Sequence, residues 1–196
     1  MAAKTFKGAS TRARMLDVSI GLMRRSGLAG AGINEIAKAS SVPKGSVYHY
    51  FPQGKQQVVT EALEIYVQRV QEYMTRALSS ETTPKARVRA LFNAVAKRLE
   101  DSYFHQSCAA GAVCLDLDEE LEEVRKIVDA AFETWIDLLA SQIGISQPQR
   151  ARSFAGLMLT TLQGTWIRGR AQKSGQPFIE AGEWLAEIAE RETPST

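Results

Sequence analysis

The sequence predicts an all-α protein of about nine helices. Apolar residues recur at spacings of three and four through nearly the whole chain, the period of one helix face. Convincing alternation at period two, the mark of a strand, is absent. Glycine and proline fall between the periodic runs, where helices stop and start.

The first helix runs from near Ser10 to Gly27, with Leu16, Ile20 and Met23 on one face, flanked by Met15 and Leu22. Two short helices follow within residues 33–51. Val59, Ala62, Leu63, Tyr66, Val70, Tyr73, Met74 and Ala77 then step along a helix of about six turns. Pro84 opens the next, with Val88, Leu91, Phe92, Val95 and Leu99 inward. The small-residue stretch from Cys108 to Leu117 reads as one short helix. Leu121, Val124, Val128, Ala131, Phe132, Trp135 and Leu139 mark a long helix ending near Gly144. Ser146-Gln-Pro-Gln149 reads as a capping box with proline in the first turn. The helix behind it carries Phe154, Leu157, Met158, Thr161, Leu162 and Thr165. A Gly175-Gln-Pro177 break precedes a last helix with Ala181, Trp184, Leu185 and Ile188. Repeats and low-complexity tracts are absent, and only the first few and last few residues read as disordered.

Charge divides the chain. The overall balance is close to neutral, 24 basic against 22 acidic residues. Residues 1–58 nevertheless hold nine basic groups and two acids, a net +7, which leaves fifteen basic and twenty acidic groups, a net −5, for the rest. A basic end on an acidic body points to a polyanion as the partner of the first third. With 196 residues and 44% hydrophobic content the chain can bury a real core, in one domain or two small ones. No run approaches the roughly 18 apolar residues that span a membrane, and the first eight residues lack the apolar core of a secretory signal. Two cysteines are too few for a disulfide framework and fit a reducing compartment. The expectation is a cytoplasmic protein.

Residues 33–51 concentrate the functional signal. Ile33, Ile36 and Ala37 give the apolar side of "INEIAKAS", Ser40-Ser41-Val42 is a turn with Val42 filling the gap, and Pro43 stands at a helix start. In "KGSVYHYF", Val47 and Phe51 lie four apart and face inward, leaving Lys44, Ser46, Tyr48, His49 and Tyr50 outward. Two short helices around a tight turn make a helix-turn-helix, whose second helix enters the major groove. The hydroxyls and the imidazole can donate to phosphate oxygens or base edges. Lys44 and Lys55 supply charge for counterion release, and Lys55 follows Gly54 at a helix start, where an ammonium adds to the pull of the backbone N–H groups. Between Glu35 and Glu61 there is no carboxylate to repel DNA. The competing assignment is an aromatic-rich core turn. It would bury three polar aromatic side chains in one short segment, each needing a partner.

Gly27 to Lys55, "GLAGAGINEIAKASSVPKGSVYHYFPQGK", resembles the DNA-binding signature of the TetR family of bacterial regulators: a glycine after the first helix, Ile-Ala, a turn, Lys-Gly, Tyr-x-x-Phe and a lysine. Gly45 falls on the glycine of that pattern. The turn holds Ser40-Ser41 where the family often has Ala-Gly, which puts a serine at a position that favours glycine. Gly32 stands where a threonine cap is commoner. "FPQGK" together with "SCAAGAVCLDLDEE" is similar to the LmrA/YxaF-like branch. The resemblance implies a DNA-binding domain over residues 1–56 and an effector-binding and dimerisation domain over 57–196. It implies a homodimeric repressor that binds a palindromic operator, DNA being read by Lys44, Gly45, Ser46, Tyr48, His49, Tyr50 and Lys55, and that a ligand releases. A regulator controlled by a protein partner, without a small ligand, is the alternative.

The same resemblance implies an effector pocket among the middle helices. Candidate lining residues are Phe92, Val95, Leu99, Phe104, Cys108, Phe132, Trp135, Met158, Leu162 and Trp166, bulky and nearly uncharged, as suits a small apolar or aromatic effector. Plain core packing is the commoner reading of any one of them, and it is the make-up of the set that points to a pocket. The dimer interface is expected on the last two helices through Phe154, Leu157, Thr161, Thr165, Trp184, Leu185 and Ile188. Gly156, Gly164 and Gly169 would allow close helix approach.

No enzyme signature is present: there are two histidines, one on the proposed recognition helix, and no nucleophile elbow, P-loop or dinucleotide fingerprint. His105, Cys108 and Cys114 match no standard zinc spacing and would need Asp116 to complete a set, so free thiols in a packing segment are expected, with no metal or cofactor. The acidic run of Asp116, Asp118, Glu119, Glu120, Glu122 and Glu123 reads as a solvated face at a helix start, where acids suit the dipole.

Overall fold

A computed structural model describes residues 10–117 and 121–192. Asp118, Glu119, Glu120 and the extreme ends lie outside the described residues, so the acidic run is seen only in part and the expectation for the termini goes untested. Among the described residues there are nine α-helices and no strand: α1 (Thr11–Ser26), α2 (Ile33–Ala39), α3 (Lys44–Tyr50), α4 (Lys55–Ser79), α5 (Pro84–Asp101), α6 (Ala109–Cys114), α7 (Glu122–Ile143), α8 (Pro148–Gln172) and α9 (Gln176–Arg191).

The helix ends follow from local chemistry. Ser10 Oγ accepts from the Ala13 N–H and caps α1, and Thr83 Oγ1 accepts from the Ala86 N–H at the head of α5. The capping box expected at α8 does not form. Gln147, not Ser146, is the residue before the helix, and no side chain caps it. Pro148 takes the first helical position, where its fixed φ suits a helix start and its missing N–H would have had no partner within the helix. Arg87 donates to the Gln142 carbonyl at 2.6 Å and satisfies an end of α7.

The chain packs as two compact units. The first comprises the described residues of 1–66 and of 109–128, the second those of 67–108 and 129–196. Helix α4 therefore begins in one unit and ends in the other, and no single cut after residue 56 separates them. The first unit is built on Met15, Leu16, Ile20 and Met23 of α1, with Ile36, Val47, Phe51, Val59 and Leu63 buried around them. Helix α6 packs against α1 through its apolar side, Ala109, Ala110 and Val113.

In the second unit α5 and α9 run closest together. A side chain at Gly182 would place its Cβ 2.7 Å from Phe92 Cβ, and one at Gly169 would meet Leu99 at 2.5 Å. These glycines are what let α9 and α8 lie against α5. Lys85–Glu190 and Arg89–Glu183 ion pairs of 2.7 and 2.5 Å bridge α5 to α9 at the rim. Arg150–Glu192 joins α8 to the end of α9, and Arg152 joins α8 to Glu133 and Asp137 of α7. Trp135 is buried whole, with its Nε1 donating to the Val67 carbonyl at 3.3 Å.

Candidate nucleic-acid interface

Helices α2 and α3 are joined by residues 40–43, and the turn closes as a Schellman motif. The Val42 N–H reaches back to the Ala37 carbonyl at 3.0 Å and the Ser41 N–H to the Lys38 carbonyl at 3.1 Å. That motif requires a left-handed residue, and Ser41 supplies it with φ 55°. The strain expected from a serine in a glycine position is present. Val42 is half-buried and Ser40 is fully buried, its Oγ without a partner. Gly32 precedes α2 with no side-chain cap. Asn34 is exposed, and the Glu35 carboxylate folds back over Gly32.

The face of α3 divides as its spacing predicts. Val47 and Phe51 are wholly buried. Lys44, Gly45 and His49 are exposed, with Tyr48 at 47% and Tyr50 at 37% exposure. Ser46 is half-buried, closer to the protein than the others. Residues four apart share a face, so Lys44 lies beside Tyr48 and Gly45 beside His49. The His49 and Tyr50 rings meet edge to face at 5.2 Å, which limits the rotamers of both. A Cβ added to Gly45 would meet nothing within 4 Å. Glycine inside a helix costs about 0.5–1 kcal/mol relative to alanine, and nothing within this chain demands it. Lys55 is the first residue of α4, half-buried, in a first turn free of acids.

One element of the site was not visible in the sequence. Arg12 of α1 lies over the Phe51 ring at 4.7 Å and forms a two-pronged pair with Glu61 of α4, at 2.6 and 2.5 Å. Gln57 donates to the same carboxylate, and its Oε1 accepts from the Gln53 N–H. The end of α3 is thereby pinned between α1 and α4 by a cation, a carboxylate and an amide. Glu61 is also the first acid after the acid-free stretch, and its charge is taken up by Arg12 instead of facing the α3 surface.

In the second unit the candidate pocket residues all turn inward. Phe92, Leu99, Trp135 and Met158 are wholly buried, Val95, Cys108, Leu162 and Trp166 nearly so, and Phe104 and Phe132 half-buried. Phe92 and Leu99 sit against the backbones at Gly182 and Gly169, so part of each serves helix packing. Trp166 meets Phe178, and Phe132 meets Trp135, edge to face.

The dimer candidates split. Leu157 (47%), Trp184 (71%) and Ile188 (38%) are open, Thr161 is half-buried, and Ile167 extends the open face at 65%. Phe154, Thr165 and Leu185 are buried within the chain, where Thr165 Oγ1 donates to the Leu162 carbonyl. They belong to the facing side of the same two helices. Gly156 and Gly164 have open space at Cβ, whereas Gly169 is filled from within. Cys108 is buried, Cys114 and His105 are exposed, and among the described residues no group of three or more metal-ligating side chains gathers.

Comparison with known proteins agrees with this geometry. Residues 15–62 match the family model of bacterial regulatory proteins of the tetR family, and residues 84–184 match the C-terminal domain of LmrA/YxaF-like transcriptional regulators. The chain is 21% identical over 184 residues to the HTH-type transcriptional regulator LmrA of Bacillus subtilis, covering 92% of this chain and 97% of that one. A regulatory protein TetR from Rhodobacter sphaeroides superposes with a TM-score of 0.82 at 20% identity, covering 91% and 98% of the two chains. A cysteine mutant of the regulator CifR, solved with a 26-base-pair operator, superposes at 0.76 with 18% identity, covering 95% and 98%. The helix-turn-helix, the flanking lysine and one family model fall together within residues 15–62, and the helical body carries its own match over 84–184, so the chain belongs to the TetR family of DNA-binding transcriptional regulators, in its LmrA/YxaF-like branch.

Proposed function

We propose that the protein is a homodimeric repressor that places two α3 helices in successive major grooves of a palindromic operator and is released by a small, largely apolar effector. The observation that carries the DNA reading is the α3 surface. Lys44, Tyr48, His49 and Tyr50 are presented to solvent beside an unfilled Gly45, with no carboxylate from residue 36 to residue 60. Lys44 and Tyr48 share one side of the helix, suited to a phosphate and the adjoining base edge. Gly45 leaves room for the sugar-phosphate backbone, and His49 and Tyr50 offer donors to acceptors in the groove. Lys55 grips the flanking phosphate from the head of α4. The CifR complex with operator DNA supports the same use of a related fold.

Dimerisation is supported by the open stripe of Leu157, Ile167, Trp184 and Ile188 on α8 and α9, with bare backbone at Gly156 and Gly164. A large exposed apolar patch marks an interaction surface, and a two-fold dimer sets half-sites about 34–36 Å apart. The effector site is assigned to the aromatic interior of the second unit around Phe104, Cys108, Phe132, Trp135, Met158, Leu162 and Trp166, with Val95, Phe92 and Leu99 on its packed side. Binding there shifts the dimer to a helix spacing that no longer fits the operator.

Two experiments test the proposal. Tyr48→Ala should weaken operator binding by about tenfold or more while leaving the dimer intact; unchanged affinity would remove α3 from the reading. A thermal-shift screen of apolar aromatic compounds should find one that raises the melting temperature by about 5–10 °C at a hundredfold excess over its Kd. A compound that does so without releasing DNA, or the failure of a broad panel alongside capture of a specific protein partner, would favour control by that partner.

A further inference from the structure

The first compact unit contains a segment that the helix-turn-helix does not account for. Helix α6 and the turn after it come from the middle of the chain, yet they pack with α1 and share a unit with the recognition helix. The seat is close. The Asp116 Oδ2 accepts a hydrogen bond from the Ala29 N–H at 3.1 Å, across 87 positions of sequence. Beneath it lies Gly27, the residue that ends α1 with φ 63°. A Cβ there would overlap the Asp116 carboxylate and stand 3.0 Å from the Ala112 carbonyl. Gly27 is thus needed twice, for its left-handed backbone and for the space its missing side chain leaves.

The elbow that Asp116 grips, Gly27 to Gly32, is the only covalent link from α1 to α2, and α2 carries α3. Its internal bonds are few: the Gly30 N–H to the Ser26 carbonyl and the Ala31 N–H to the Leu28 carbonyl. Ala29 N–H has no carbonyl of the elbow to bond, and Asp116 supplies the acceptor. A carboxylate accepting a backbone N–H makes a charge-assisted bond, stronger than a neutral one. We infer that Asp116 is a positioning residue for DNA recognition: it latches the elbow between α1 and α2 from α6, and so holds α3 at the angle the groove requires. The inference rests on the assignment of α3 as the reading helix.

The test uses the full-length protein and a duplex that the wild type selects from a random-sequence library. Asp116→Ala should weaken binding of that duplex by about two- to tenfold, the equilibrium equivalent of one net hydrogen bond. It should also speed hydrogen exchange at the Ala29 amide by a similar factor, without changing the slope of affinity against salt, because no phosphate contact is lost. Asp116→Asn, whose amide oxygen can still accept, should recover most of both. Gly27→Ala, which fills the seat from the other side, should reproduce the Asp116→Ala loss. An Asp116→Ala protein with wild-type affinity, or with wild-type exchange at Ala29, overturns the latch, as does an Asn variant no better than Ala. If the wild type selects no duplex, the reading-helix assignment fails, while the exchange at Ala29 still reports on the contact itself.

Discussion

Two serines in the turn between α2 and α3 show how the recognition unit trades stability for shape. Ser41 occupies a left-handed backbone that costs a non-glycine residue about 1–2 kcal/mol, and Ser40 buries a hydroxyl with no partner. Ser41→Gly should stabilise the protein by about 0.5–1 kcal/mol, the relief of strain less the greater freedom of glycine in the unfolded chain. Ser40→Ala should stabilise it by a similar ~0.5–1 kcal/mol by removing an unsatisfied polar group. Each is read as a rise of about 1–4 °C in melting temperature, and a fall in either would contradict the strain or the burial on which it rests. Ser41 could be read from the sequence because the motif names the position that wants glycine. The burial of the Ser40 hydroxyl could not, since serines are common in exposed turns and nothing local says which way this one points. Arg12 was equally hidden: its pairing with Glu61 and its seat over Phe51 join residues 49 and 39 positions apart, and helical periodicity carries no information at that range.

Helices were the most legible level. Every periodic run became a helix, because each apolar stripe has one face to bury and proline or glycine marks its ends. The failures were of two kinds. The capping box at Ser146 matched as letters, but Pro148 moved the helix start to the residue after Gln147. On α8 and α9 a few apolar residues stand among the polar ones of the exposed face, so sequence spacing did not separate Phe154, Thr165 and Leu185, which are buried within the chain, from Leu157, Trp184 and Ile188, which are open. The α5–α9 contact follows from glycine. Gly182→Ala would push a methyl into Phe92 and should destabilise the protein by about 1–3 kcal/mol; a neutral result in thermal or denaturant unfolding would show that the helices can move apart freely.

At the scale of the whole molecule, charge placement and exposed apolar surface divide the work. The basic first third carries α3, and the open apolar stripe lies on the last two helices. Trp184→Glu puts a charge on the most exposed aromatic of that stripe. It should shift the protein towards a monomer in sedimentation while leaving its helical content unchanged. Operator affinity should fall with it, because two half-sites would then be filled by separate chains. A variant that stays dimeric would move the interface elsewhere. That α3 and the head of α4 meet DNA through phosphate as well as base edges is the proposal on which the rest depends. It is tested most directly by measuring operator affinity against salt concentration for the wild type and Lys55→Ala. The variant should bind all sequences more weakly, with a salt slope smaller in magnitude by about one. An unchanged slope would contradict it.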